Sequence, residues 1–189
     1  MKLCFLLVIL VLPQLAIANL LVVANAPVQI RLRVGAAGAT ITTTTVTVTG
    51  GNVGSATVQL MTAPASARSG SVCVANHVFF NAEARAAPPG SRTATLSVNS
   101  SAGMACATPA TCGADNIPFT QVGWTNTAPG AYSPATIAAG TFSGAMAQVI
   151  LSFNNSNQSR DCLRFQYLNQ NIVREGTYRG DVIYTLSMP

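Results

Sequence analysis

Histidine occurs once in this chain, at His77, and carboxylates occur five times, at Glu83, Asp115, Asp161, Glu175 and Asp181. Nucleophilic hydrolysis of the common kind needs a nucleophile, an imidazole base and an orienting carboxylate, and no Gly-x-Ser-x-Gly turn surrounds any serine here. Acid–base work by paired carboxylates is no better served, because the five acids are scattered through turns and exposed positions and nothing marks two as partners. There is no glycine-rich phosphate loop and no Gly-Lys-Ser/Thr. The reading is not an enzyme, and no cofactor is expected.

Cysteine is the remaining reactive residue. Cys4 lies inside an apolar run at the start of the chain, too early to follow a lipidation cleavage motif. Cys73, Cys106, Cys112 and Cys162 are left. An even number in an exported chain is most economically two disulfides, with three pairings possible. The favoured pairing is Cys106 with Cys112, closing a short loop, and Cys73 with Cys162, tying distant strands. A zinc site built on Cys73 and His77 is the sharper alternative, but it has a single imidazole and no Cys-x-x-Cys to draw on.

Export itself is read from the first residues. Met1-Lys2 is a short basic start, residues 3–12 are unbroken and apolar, and Ala16-Ile17-Ala18 offers small residues where signal peptidase inspects them. Cleavage after Ala18 is expected, leaving residues 19–189 as one domain. The rival is an uncleaved anchor, since the apolar span approaches the ~20 residues a bilayer needs. Pro13-Gln14 interrupts it.

Charged residues are 8% of the 189-residue chain, whose apolar share is 49%. That is enough apolar chain to bury a core, and the Thr, Ser, Ala, Gly and Asn that fill the polar share suit sheets and turns more than helix surfaces. The fold class expected is all-β, a single sandwich of about eight to ten strands. Lys2 is the only lysine, and nine arginines are spread along the chain without a dense basic run. Nucleic acid is therefore not an expected partner, and a solvated surface accounts for the arginines.

Alternation marks the strands. Val28, Ile30, Leu32 and Val34 share one side of an extended segment, and Arg31 and Arg33 share the other. A Thr-rich strand over residues 40–49 reverses at Gly50-Gly51-Asn52 into residues 55–60, a hairpin by spacing and turn residues. The threonines have no fixed repeat, so ordinary strand propensity explains them better than ice binding. Further strands are expected over residues 72–80, 92–98, 117–125, 141–153 and 162–168. Residues 99–116 and 126–140 read as surface loops, and Trp124 as a core residue. Asn99-Ser100-Ser101, Asn154-Asn155-Ser156 and Asn157-Gln158-Ser159 match the glycosylation pattern and mark exposed turns.

The stretch that organises the rest is the last: Gly176-Thr177-Tyr178-Arg179-Gly180-Asp181-Val182-Ile183-Tyr184-Thr185-Leu186. Tyr178, Val182, Tyr184 and Leu186 fall on one face of a half-buried strand, and running to the end of the chain it is expected to leave one edge open. This stretch resembles the closing strand of bacterial fimbrial subunits assembled by a chaperone and usher. In those subunits a Gly-Thr-Tyr-x-Gly-x-Val-x-Tyr-Thr-Leu pattern ends an incomplete immunoglobulin-like domain.

The resemblance implies a surface fimbrial subunit that polymerises by strand donation. Its partners would be neighbouring copies or related subunits, with a periplasmic chaperone and an outer-membrane usher during export. Tyr178, Val182, Tyr184 and Leu186 would line the subunit groove. Donor anchors would come from residues 19–34, either Val28, Ile30 and Leu32 or, nearer the cleavage point where the family places them, Leu20 and Val22. In the competing role those residues form the first strand of their own domain. The competing function is a self-contained secreted module that recognises carbohydrate or protein through its loops.

Overall fold

In a computed structural model of the protein, the described residues are 28–35, 44–63, 67–68, 71–127 and 135–189. The expected leader, Leu20 and Val22 lie outside them. In chain order the strands are β1 (Gln29–Val34), β2 (Val46–Val48), β3 (Gln59–Leu60), β4 (Ala67–Arg68), β5 (Ser71–Val72), β6 (Val78–Arg85), β7 (Thr93–Asn99), β8 (Met104–Cys106), β9 (Asn116–Ile117), β10 (Val122–Asn126), β11 (Gly140–Thr141), β12 (Gln148–Asn154), β13 (Asn157–Tyr167), β14 (Gly176–Arg179) and β15 (Ile183–Ser187). One helical turn, Pro109–Cys112, sits between β8 and β9.

The fold is all-β and sandwich-like. One layer is a sheet in the order β1-β6-β13-β10-β11, with β3 also beside β13. The facing elements are two shorter sheets, β12-β7-β15 and β2-β14-β8-β9. Chain joins these two sheets twice, from β7 into β8 and from β14 into β15, and β14 and β15 pair with β8 and β7 in the same antiparallel sense.

Strict alternation builds the core. Along β7 the inward residues Ala94, Leu96 and Val98 are fully buried while Thr93, Thr95 and Ser97 are not. Along β13 the inward set continues through Leu163, Phe165 and Tyr167. These meet Phe80, Val122, Leu151 and Phe153 in one cluster. Burying each large apolar side chain contributes about 1.5–3 kcal/mol, against the entropy of ordering it. Trp124 belongs to this core: its ring N–H donates to the Ala138 carbonyl at 2.8 Å, and its ring tilts against Phe142.

Several sequence expectations are corrected. β2 and β3 do not pair as a hairpin: β2 joins β14 and β3 joins β13, and a single bridge links Thr45 with Thr62. The intervening turn is held by Asn169, which donates to the Asn52 carbonyl and to Ser55 Oγ, so the chain leaves it toward a different sheet. Residues 99–116 are not a surface loop. They contain β8, the helical turn and the start of β9, with Met104 and Cys112 buried. The stretch 141–153 is divided into β11 and β12, and the last long stretch is divided between β14 and β15.

Both expected disulfides are present. Cys73 joins Cys162 across a separation of 89 residues with Cα atoms 5.6 Å apart, and Cys106 joins Cys112 across 6 residues with Cα atoms 5.7 Å apart. On the loop-entropy account the long closure stabilises by about 4–5 kcal/mol and the short one by about 2 kcal/mol. Replacing Cys73 and Cys162 together by serine should therefore lower the unfolding free energy in urea about twice as much as replacing Cys106 and Cys112. A reversed order would contradict the entropic account.

Candidate functional site

The last two strands differ in how they are paired. β14 lies between β2 and β8, hydrogen-bonded on both edges. β15 pairs with β7, Leu186 opposite Leu96 and Tyr184 opposite Val98, and among the described strands nothing pairs with its other edge. The change occurs over residues 180–182. A Cβ placed on Gly180 would lie 2.9 Å from Met104 Cα and from the Phe119 ring, with the Gly103 carbonyl closer still. Glycine lets the backbone press against the start of β8 at this point. Beyond it the chain continues along β7 with no described strand on its other side.

β1, the end strand of the other layer, faces that side. Between β1 and β15 lies an apolar groove of about 580 Å³. Leu32 and Val34 form the β1 wall, and Val182 and Tyr184 form the opposite wall; all four are half-buried. Val78, Phe80, Val122 and Phe165 line it from the first sheet, and Phe119 and Phe142 from the connections beside it. The Tyr184 ring meets the Phe80 ring edge-on at 5.0 Å, and Phe142 stacks on Phe165 at 5.9 Å. Arg33 and Asp181 are the charged residues among its lining.

Burial pushes the Tyr184 phenol above the ordinary tyrosine range. Burial also raises Tyr167, with the Tyr178 charge adding to it. Tyr178 is raised first by burial, then by Asp115, against an opposing effect of Arg174. The phenols in and beneath this region are therefore neutral hydrogen-bonding groups at physiological pH; Tyr178 donates to the Arg174 carbonyl at 2.8 Å.

Of the four residues expected in the groove, Val182 and Tyr184 line it. Tyr178 and Leu186 do not. Tyr178 is fully buried in the doubly paired strand, and Leu186 packs into the core opposite Leu96. Of the expected donor residues, Ile30 and Leu32 lie in β1 and Val28 just before it; in this single chain β1 pairs with β6, Ile30 opposite Ala84 and Leu32 opposite Ala82, the arrangement of the competing first-strand role. Leu32 is a wall of the groove rather than an occupant. The aromatic floor was not recognised in the sequence, because Phe80, Phe119, Phe142 and Phe165 come from four separate segments that only the topology brings together. Cys73 is bonded to Cys162 and is no partner for His77, whose Nδ1 contacts the Ala75 carbonyl at 2.9 Å.

An apolar slot beside an unpaired strand edge can take up an extended chain. Backbone hydrogen bonds to β15 would provide the pairing, and alternate side chains would enter the slot. No protein-family model, no curated protein and no solved structure matches this chain.

Gly180→Ala should destabilise the protein by about 1–3 kcal/mol, since the added methyl meets backbone that cannot step aside; urea denaturation measures this. The phenol shift gives a second expectation. A raised folded-state pKa leaves stability intact below the ordinary tyrosine value of about 10 and removes it as pH climbs toward the folded value. Melting points should therefore fall at alkaline pH, and Tyr184→Phe should make that fall shallower. An unchanged alkaline slope would mean that Tyr184 is not desolvated.

Proposed function

We propose that this protein is an exported structural subunit of a surface fimbria that polymerises by strand donation. The observation that carries this reading is the apolar groove of about 580 Å³ running beside the unpaired edge of β15. An immunoglobulin-like sandwich short of one strand leaves such a groove. A long, flat, apolar edge left bare in solution is an aggregation hazard, so a strand held in reserve by a neighbour is the natural occupant.

That occupant is an extended segment of a neighbouring copy or a related subunit. Because β1 forms a wall of the groove, the donor residues lie before it, in the stretch that contains Leu20 and Val22. Two disulfides suit an oxidising compartment, in keeping with export through the periplasm before display at the cell surface. A periplasmic chaperone and an outer-membrane usher would guard the open edge during transit.

The test is to purify residues 19–189 and add a synthetic peptide of residues 19–27. The proposal expects the chain to self-associate and the peptide to suppress association and raise the melting point saturably. At 100 times its dissociation constant the gain is about 2.7 kcal/mol. Val182→Lys or Tyr184→Glu should abolish the response. A monomer that melts cooperatively, never associates and ignores the peptide would instead favour a self-contained binding module.

A further inference from the structure

Arginines far apart in the sequence come together on the side of the first sheet that faces away from the core. In the antiparallel register Arg31 stands opposite Glu83, and Glu83 opposite Gln158; Arg33 stands opposite Asn81, and Asn81 opposite Arg160; Gln29 stands opposite Arg85. Directly opposed residues share a face, and alternation carries that face along β13 to Arg164 and Gln166. The residues between them, Phe80, Ala82, Leu163 and Phe165, are buried in the core, which fixes the arginine side as the outer one. Five arginines thus occupy one face of β1, β6 and β13, part of which, around Phe79 and Cys162, is covered by the segment that the Cys73–Cys162 disulfide ties down. Glu83 is the one acid of these strands on it, since Asp161 points inward to Ser159 and Asn126.

This face also carries hydrogen-bonding groups without partners. Asn81, 3% exposed, gives its Nδ2 to Glu83 at 3.1 Å, and its Oδ1 has no partner among the described residues. Nε of Arg160 and Nε of Arg164 are likewise buried and without an acceptor among the described residues, so these atoms lie beneath the surface rather than on it. We propose that the outer face of β1, β6 and β13 is a docking surface for an anionic polysaccharide.

The chemistry selects that class. Guanidinium groups grip carboxylate or sulfate through paired N–H donors. The side chains around them include the amides Gln29, which is exposed, and Gln166, which is half-buried, and amides both donate to and accept from hydroxyl groups. Single-stranded nucleic acid is gripped by aromatic side chains on which bases stack, and none of the exposed large apolar residues in the described chain is aromatic. Arg31 and Arg33 stand two residues, about 7 Å, apart on β1, and Arg160 and Arg164 four residues, about 13 Å, apart on β13, so the cations are spread along the strands as suits a charged polymer. Arg33 also lines the groove, but Arg31, Arg85, Arg160 and Arg164 do not, so occupancy of the surface they form does not require strand donation.

The experiment measures binding of the full chain to immobilised heparin and to immobilised polygalacturonate across a salt series. Retention on one or both at low salt, lost as salt rises, is expected; the polymer held more tightly identifies sulfate or carboxylate as the preferred group. The variant Arg31→Gln/Arg85→Gln/Arg160→Gln should weaken binding by about tenfold or more, as loss of charge-assisted contacts does. Arg33 is left in place because it borders the groove. The control Arg92→Gln/Arg174→Gln/Arg179→Gln removes the same charge elsewhere and should weaken binding by less than about threefold, as long-range screening allows. If the triple variant melts at a lower temperature, Arg31→Gln/Arg85→Gln, both at exposed positions, gives the same comparison. Equal losses in the face and control variants, no retention on either polymer, or tighter binding to duplex DNA or to anionic phospholipid vesicles would overturn the proposal.

Discussion

A β-strand has two edges, and the final segment of this chain uses both over β14 and one over β15. Main-chain groups left unpaired next to apolar side chains demand a partner. Everything notable about the groove follows from this change of pairing. β2 covers the first half of the segment and goes no further, and Gly180 bends the backbone against β8. What emerges is a strand whose inner face belongs to the core and whose outer edge no described strand pairs with.

The walls of the groove are held from both layers. The short disulfide packs the helical turn against β14, where the Cys112 sulfur occupies the space a side chain at Gly176 would need. The long disulfide ties the approach to β6 onto the outer face of β13. The contact of Phe80 with Tyr184 joins β6 to β15 across the floor. A groove braced in this way has little left to order, and preorganisation is what raises affinity at a given contact area.

Much of the architecture was legible because strand alternation is a local property. Ala94, Leu96 and Val98 announced their face, as did Leu32 and Val34, and the even positions from Tyr178 to Leu186 do point inward. Pairing partners were less accessible. The Gly50-Gly51-Asn52 turn has hairpin chemistry, yet the side chain of Asn169 captures it and sends the following strand to another sheet. Tyr178 and Tyr184 look equivalent by spacing, and only the company β14 keeps distinguishes buried core from groove wall. The arginine face was invisible for the same reason: Arg31, Arg85 and Arg160 become neighbours through register, which no local pattern encodes.

The most direct measure of the bare edge is amide hydrogen exchange across β15. In the isolated protein, the amides of Ile183–Ser187 that do not bond to β7 should exchange within the range of local opening, far faster than those of β14. They should become protected when an extended apolar peptide is added. Uniform protection of β14 and β15 in the isolated protein, unchanged by the peptide, would contradict the account.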